Sequence, residues 1–276
     1  MRLIIPEGKI GEWAAVYVAK KIIEFAPTEE KPFVLGLPTG STPIDMYKNL
    51  IKFYNDGLIS FKNVITFNMD EYVGLGPNDK QSYHTYMFET FFNHVDIKKE
   101  NINILNGLAE NSAEECKRYE EKIKSLGGIK LFVGGIGSDG HLAFNEPGSS
   151  LASKTRVKDL TSETIQANAR FFDNDINKVP KSAYTVGVST VLSSEEVLIM
   201  VDTPSKALAL HKAVEEGVSH MCTVSALQLH EKGIIVAAEE ACGELKVGTY
   251  RYFKDIEQNN LDTDKMIADL YAEYKK

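Results

Sequence analysis

Apolar residues follow two patterns along the chain, and the two patterns alternate. Short continuous apolar runs are typical of strands buried on both faces of a sheet, whereas apolar residues at every third or fourth position are typical of amphipathic helices. The runs that predict strands are 33–37, 64–69, 102–105, 129–133, 184–188, 197–201 and 234–238. The stretches that predict helices are 10–25, 43–54, 83–92, 161–171, 205–216 and 265–274, while 221–230 is ambiguous.

One further helix is predicted from its boundary residues. Ser112 followed by Glu115 matches a capping box, and Gly127 with Gly128 is a stop signal. Strands that alternate with such helices form right-handed βαβ units. The predicted fold class is therefore α/β, with an open, mostly parallel, twisted sheet and helices on both faces (Rossmann-like, three-layer). No repeat or linker interrupts the pattern, so we expect residues 1–276 to form a single domain.

Charge and composition narrow the classes of function. A formal charge of −8 argues against a nucleic acid or an anionic membrane as the main partner. Cys116, Cys222 and Cys242 are widely spaced and form no C-x-x-C pair, which fits a reducing cytoplasm without a disulfide framework or a zinc site. No apolar run has membrane-spanning length, and the apolar residues that follow Met1 are too few for a signal peptide. We therefore expect a cytoplasmic protein.

The central feature of the sequence is a glycine-rich loop, residues 134–148, directly after the predicted strand 129–133. Asp139, His141 and Glu146 lie within this loop. Ligands of parallel α/β proteins bind at the carboxyl ends of the strands, which is where this loop is expected. A histidine between two carboxylates is held in one tautomer and suits proton transfer near neutral pH. The loop therefore predicts acid–base chemistry.

The same loop contains a literal G-x-G-x-x-G, residues 135–140, so a dinucleotide site is an alternative. Asp159 lies at about the right distance downstream for a ribose contact. However, His141 follows the last glycine, and residues 145–150 break the helix that a dinucleotide fingerprint requires. We consider the nicotinamide-cofactor interpretation the weaker one.

Two other predicted strands also end in chemically useful residues. Residues 39–42, Thr-Gly-Ser-Thr, precede a helix, and backbone N–H groups with hydroxyls at a helix N-terminus can bind a phosphate, although a simple helix cap explains them equally well. Asp70 ends strand 64–69, where partial desolvation would raise the pKa of a carboxylate toward that of a useful base. Arg170 and Lys206 are candidate cationic partners of a bound phosphate. These residues predict an enzyme that moves protons on a small phosphorylated substrate.

With these residues in view, the sequence resembles the glucosamine-6-phosphate deaminase family from Met1 to about Ile256. Two strings carry the resemblance most specifically: Asn68-Met69-Asp70-Glu71-Tyr72 and Asp139-Gly140-His141-Leu142-Ala143-Phe144-Asn145-Glu146-Pro147. Further similar segments are 1–4, 35–43, 66–75, 167–172, 206–208 and 244–247.

The resemblance implies conversion of D-glucosamine 6-phosphate and water to D-fructose 6-phosphate and ammonia, without a metal or an organic cofactor. It implies that His141 opens the pyranose ring, oriented by Asp139 and Glu146, and that Asp70 moves a proton from C2 to C1. The residues that it assigns to the 6-phosphate are Gly40, Ser41, Thr42, Arg170 and Lys206. Residues 161–180 resemble the mobile lid of the family.

The resemblance also implies regulation in a homo-oligomer. Allosteric members are hexamers activated by N-acetylglucosamine 6-phosphate between subunits, at positions that match Ser149, Arg156, Lys158 and, from a neighbouring subunit, Met1 and Tyr252. Asp159 stands where allosteric relatives commonly have threonine, and its negative charge beside a phosphate site makes activation doubtful. Cys222 stands where relatives usually have tryptophan, and this difference in side-chain volume is as large as a cavity, so the packing of relatives does not predict the packing here.

Two alternative functions fit the bare set of residues. A 6-phosphogluconolactonase-like hydrolase needs phosphate and proton-transfer groups too, although the Asp70 and Glu146 strings favour the deaminase. A non-catalytic sugar-phosphate sensor is the other, but no basic helix-turn-helix segment precedes Phe33 or follows Val247. The predicted partner is thus a small amino-sugar phosphate, with no nucleic acid and no membrane.

Overall fold

Strands and helices alternate along most of the chain in a computed structural model that describes residues 1–275. The strands are β1 (Arg2–Ile4), β2 (Phe33–Leu37), β3 (Val64–Asn68), β4 (Asp70–Tyr72), β5 (Ile102–Asn103), β6 (Leu131–Gly135), β7 (Arg156–Asp159), β8 (Ser182–Thr185), β9 (Glu196–Val201) and β10 (Gly233–Ala237). The α-helices are α1 (Ile10–Phe25), α2 (Ile44–Asn55), α3 (Tyr83–Thr90), α4 (Ser112–Ser125), α5 (Ser162–Asn168), α6 (Val188–Leu192), α7 (Ala207–Glu215), α8 (Val247–Ile256) and α9 (Thr263–Tyr274).

The main sheet has seven strands in the order β1-β10-β9-β6-β2-β3-β5, and every neighbouring pair is parallel. Successive side chains of a strand point to opposite faces, so the continuous apolar runs fill two cores. Leu35 and Leu37 pack in the core that contains α1, α2 and α9, whereas Val34 packs in the core that contains α4 and α7. The predicted α/β class, with a mostly parallel sheet between layers of helices, is confirmed.

A second sheet, β4-β8-β7, has three antiparallel strands, and it corrects one prediction. The apolar run 184–188 was expected to be a strand of the parallel sheet, but β8 ends at Thr185 and pairs with β4 and β7. Both faces of β8 are covered, since Ala183 and Tyr184 pack in different apolar clusters, and the run therefore has the apolar character of a central parallel strand. The chain then enters α6 after Gly187, where a Cβ atom would lie 2.0 Å from the Ser153 carbonyl oxygen.

The capping box predicted for α4 is also wrong. The N-cap residue is Asn111, whose Oδ1 accepts hydrogen bonds from the backbone N–H groups of Ala113 (3.0 Å) and Glu114 (3.2 Å). The Glu115 carboxylate instead accepts the backbone N–H of Asn106 at 2.8 Å and pairs with Arg118. Asparagine satisfies the free N–H groups of a helix start as well as serine does, so either residue could have served.

Several elements carry no clear signal in the sequence. These are the short strands β1, β4 and β7, helices α6 and α8, and the 3₁₀ helix Thr223–Leu229 in the ambiguous stretch. β1 pairs with β10, so the first strand of the chain and the last one lie side by side in one sheet, and a single domain stays a prediction. Across residues 1–275, no helix combines the length and the apolar character needed to cross a membrane.

Candidate active site

A cavity of about 440 Å³ lies at the carboxyl ends of four neighbouring strands, β9, β6, β2 and β3. It brings together most of the site residues predicted from the sequence. Those that line it are Gly40, Ser41, Thr42, Asp70, Asp139, His141, Arg170 and Lys206. Ser149, Arg156, Lys158 and Tyr252, which the resemblance assigns to regulation, are not among its lining residues.

Asp70 is a buried carboxyl group on the cavity wall, at the start of β4. Burial, with the nearby charge of Glu71 as the smaller cause, raises the pKa of Asp70 to about 8. Its Oδ1 atom has no hydrogen-bond partner among the described residues, and such an atom is costly to keep charged. Asp70 therefore has the pKa that a general base near neutral pH requires.

Glu71, the next residue, has a structural role instead. Its carboxylate accepts the backbone N–H groups of Tyr72 (2.8 Å), Tyr83 (3.0 Å) and His84 (2.9 Å), and the last two belong to the first turn of α3. A carboxylate at a helix N-terminus is stabilised by these N–H groups, which have no partner within the helix. The two adjacent acids thus differ in environment, and only Asp70 lines the cavity.

His141 lies between two carboxylates. Its Nδ1 atom is 2.7 Å from Asp139 Oδ1 and 3.9 Å from Glu146 Oε2, and its backbone N–H also donates to Asp139 Oδ1 at 3.0 Å. Burial alone would raise the pKa of Asp139, but the contacts with His141 outweigh it and hold that pKa below its ordinary value. The imidazole is thereby oriented by a charged partner, as a group that exchanges protons requires.

The glycines of the central loop make room for this arrangement. A Cβ atom on Gly137 would lie 2.3 Å from Cε1 of the His141 ring. Gly140 has φ +87°, and a Cβ atom there would lie 2.4 Å from Sγ of Cys222. Cys222 is the residue that stands where the family resemblance leads one to expect a tryptophan. No helix follows Gly140, since the next residues form turns and isolated bridges. The G-x-G-x-x-G pattern is thus explained without a dinucleotide.

The segment Thr39–Gly40–Ser41–Thr42 lines the cavity, and its side chains do not cap α2, which has no side-chain cap at Pro43. Lys206 Nζ lies 3.0 Å from Thr42 Oγ1 and 2.6 Å from Asp202 Oδ1. The Arg170 guanidinium lies over the ring of Phe171, at 4.7 Å from its centre. Hydroxyls, backbone N–H groups and two cations on one cavity are the groups that bind a phosphate.

Helix α5 covers one side of the cavity and adds residues that the sequence did not single out. Glu163, Thr164 and Asn168 line the cavity, as does Tyr83 from α3. The Asn168 amide donates a hydrogen bond to the hydroxyl of Tyr72 at 2.9 Å. Asn168 lies two residues before Arg170 in a segment that resembles the family, and this position is the one indication in the sequence that Asn168 belongs to the site.

Glu146 does not line the cavity but lies behind His141, with 2% of its surface exposed. Asp139, His141 and Glu146 together offer three possible metal ligands whose atoms lie within 4.8 Å of one another, the one such group in residues 1–275. The same short distances also suit a histidine that is oriented by two carboxylates for proton transfer.

The residues assigned to regulation lie in different surroundings. Arg156, in β7, donates to Asn145 Oδ1 at 2.8 Å and so contacts the residue before Glu146. Ser149 is buried, and its hydroxyl has no hydrogen-bond partner in the described part of the chain. Tyr252, in α8, is 60% exposed.

Comparisons with known proteins bear on this site. The family model described as glucosamine-6-phosphate isomerases/6-phosphogluconolactonase matches residues 9–235. A glucosamine-6-phosphate deaminase of Fusobacterium nucleatum is 64% identical over 272 residues, which cover 98% of this chain and 99% of the relative. One of Bacteroides thetaiotaomicron is 63% identical over 269 residues, covering 97% of this chain and 100% of the relative.

Two solved structures are similar as well. A monomeric glucosamine-6-phosphate deaminase superposes with a TM-score of 0.80 at 41% identity, covering 87% of this chain and 98% of that structure. A 6-phosphogluconolactonase from Thermotoga maritima superposes with a TM-score of 0.64 at 20% identity, covering 86% of this chain and all of that structure. The second likeness concerns the fold alone.

Proposed function

The chain belongs to the family of glucosamine-6-phosphate isomerases and 6-phosphogluconolactonases, and from this premise we propose which residues carry its reaction. It is an enzyme that converts D-glucosamine 6-phosphate and water to D-fructose 6-phosphate and ammonia. The observation that carries the assignment of roles is that Asp70 and His141, 71 positions apart, line the same cavity.

The substrate phosphate binds at residues 39–42. Ser41 and Thr42 offer hydroxyls, and Gly40, at φ +87° with nothing within 4 Å of a Cβ position, leaves its backbone open to a ligand. Arg170 provides a planar donor and Lys206 a point charge on the same cavity. This anchor fixes the sugar relative to Asp70 and His141, and such positioning lowers the barrier for each proton transfer.

His141 opens the pyranose ring. The imidazole takes the proton of the anomeric hydroxyl and returns a proton to the ring oxygen, so that C1 becomes an aldehyde. Asp139 and Glu146 stabilise the imidazolium form that exists between the two transfers.

Asp70 then moves a proton along the opened chain. Its carboxylate removes the proton on C2, which gives an enolamine, and the resulting carboxyl group returns the proton to C1. The product of this step has an imine at C2, and water replaces the imine nitrogen to release ammonia and leave the ketose. A carboxyl group with a pKa of about 8 can both accept and return a proton near neutral pH.

The test is ammonia release from glucosamine 6-phosphate by the intact protein, compared with hydrolysis of 6-phosphogluconolactone. We expect ammonia and fructose 6-phosphate in equal amounts and no lactone hydrolysis above the uncatalysed rate. Lactone hydrolysis without ammonia would favour the hydrolase, and binding without either reaction would favour the sensor.

The finer proposals concern assembly and regulation. By the family resemblance, the chain forms a homo-oligomer, a hexamer, in the cytoplasm, whereas one similar solved structure is described as monomeric. The regulatory ligand would contact Ser149, Arg156 and Lys158 together with Tyr252 of another copy, and Asp159 would weaken it by charge repulsion. Light scattering gives the assembly. Rate curves with and without N-acetylglucosamine 6-phosphate test the regulation, since a plain hyperbola in both is the result expected from Asp159.

A further inference from the structure

We propose that Thr164 is a positioning residue of the reaction: its hydroxyl holds the Glu146 carboxylate and so couples the docking of α5 to the His141 cluster. The inference rests on the proposed function, because it assigns His141 and Glu146 to catalysis. Thr164 itself takes no part in either proton transfer and acts through Glu146.

The first observation is the origin of the donors to Glu146. The Thr164 hydroxyl donates to Glu146 Oε1 at 2.6 Å. The other donors recorded for this carboxylate are the backbone N–H and the hydroxyl of Thr161, all at 3.4 Å. A distance of 3.4 Å is long for a hydrogen bond, whereas 2.6 Å is typical of a hydroxyl bound to a carboxylate. Thr164 is therefore the main partner of a carboxylate that is almost fully buried.

The second observation is that all of these donors come from α5 and its N-cap residue. Thr161 caps α5 by accepting the backbone N–H of Thr164 at 3.2 Å. The two hydroxyls lie 3.2 Å apart, and that of Thr164 can accept from Thr161 while it donates to Glu146. The loop that carries Glu146 offers no comparable donor among the described contacts. A buried carboxylate without its donor is destabilised, so Glu146 needs α5 in place.

The third observation is the competing partner. His141 Nδ1 lies 3.9 Å from Glu146 Oε2, while Asp139 lies closer to the same nitrogen, at 2.7 Å. In residues 1–275, Asp139 and Glu146 are the carboxylates that lie within 4 Å of a ring nitrogen of His141. Without Thr164, the carboxylate of Glu146 would turn to the ring and compete with Asp139 for Nδ1. Thr164 thus keeps His141 paired with Asp139.

A second hydrogen bond makes it possible to test the docking of α5 separately from the positioning of Glu146. Asn168, one turn further along α5, donates to Tyr72 and does not contact Glu146. Removing the Asn168 amide loosens α5 and with it Arg170 at the phosphate, which raises KM. Removing only the Thr164 hydroxyl disturbs the cluster at His141, which lowers kcat.

The experiment compares Thr164→Val, which keeps the shape and removes the hydroxyl, with Thr164→Ser, which keeps the hydroxyl. Gln166→Ala, an exposed position of α5 outside the cavity, is the control. We expect Thr164→Val to lower kcat about tenfold with KM changed less than about twofold, the effect of one lost hydrogen bond to a charged group. Thr164→Ser should restore most of the rate, and Gln166→Ala should leave both constants unchanged.

A double-mutant cycle with Glu146→Ala tests whether Thr164 affects the rate through Glu146. If Thr164 acts through Glu146, Thr164→Val should have almost no further effect in the Glu146→Ala background, whereas Asn168→Ala should keep its full effect there. An unchanged kcat in Thr164→Val, a rise in KM alone, or an equal loss in both backgrounds would each overturn the proposal. Thermal melting confirms that the variants fold. Failure of the wild-type protein to release ammonia would instead overturn the proposed function.

Discussion

Asp70 and His141 line the same cavity, yet their surroundings are opposite. Asp70 is buried, has an oxygen without a hydrogen-bond partner, and has its pKa raised to about 8 by desolvation. His141 has Asp139 at 2.7 Å and Glu146 at 3.9 Å. Desolvation makes a weak carboxylate base stronger, whereas neighbouring carboxylates stabilise the charged form of an imidazole and hold its ring in place. One cavity thus prepares two proton-transfer groups by two different physical means.

The largest effect is expected from Asp70→Asn, which keeps the size of the side chain and removes the base. Loss of a general base lowers turnover by about 10²–10⁴-fold, and we expect the upper part of this range because the same group acts at both C2 and C1. Ammonia release measures kcat, and calorimetry should find fructose 6-phosphate binding largely retained. Asp264→Asn, an exposed position at the start of α9, is the control, and full activity of Asp70→Asn would contradict the assigned role.

The same substitution should stabilise the fold, because the site of Asp70 disfavours its charge. Between pH 4 and pH 8 the unfolded chain loses this proton while the folded protein keeps it, so wild-type stability falls as the pH rises through this window. The pKa of Asp70 rises by about four units on folding, so the free energy of unfolding of Asp70→Asn should exceed that of the wild type by about 6 kcal/mol at pH 9, and the gap should close toward pH 4. Urea titrations across this range measure it. A gap that does not change with pH would mean that Asp70 is not desolvated.

The difference between the two regions also marks how far the sequence could lead. The position of Asp70 at a strand end and of His141 in a glycine loop is a local property, so apolar runs and turn residues predicted both. Asp70 and Glu71 have different roles because the N–H groups at the start of α3 donate to Glu71 and not to Asp70. That contact joins residues more than ten positions apart, and local patterns do not contain it.

Contacts across longer separations escaped prediction for the same reason. Thr164 meets Glu146 across 18 positions, and Asn168 meets Tyr72 across 96. The small antiparallel sheet was missed because β8 is covered on both faces and therefore lacks the alternation typical of an antiparallel strand with one exposed face. The hydrophobic pattern of a strand indicates how much of it is buried, but for β8 it does not indicate whether the neighbouring strands are parallel or antiparallel.

Gly137→Ala tests whether orientation, the feature that distinguishes His141 from Asp70, controls the rate. The added Cβ atom would meet the imidazole at 2.3 Å, so the ring must move away from its position beside Asp139. A displacement of about 1 Å in a reacting group can cost about 100-fold, and we expect kcat/KM for ammonia release to fall by about that factor.

Gly248→Ala is the matched control, because a Cβ atom there meets nothing within 4 Å. The two regions should respond differently: Gly137→Ala should lower activity without the pH-dependent gain in stability expected of Asp70→Asn, since it leaves the desolvated carboxyl group untouched. If Gly137→Ala keeps wild-type activity, the imidazole does not need its present orientation, and Asp70 alone would have to account for the rate of the reaction.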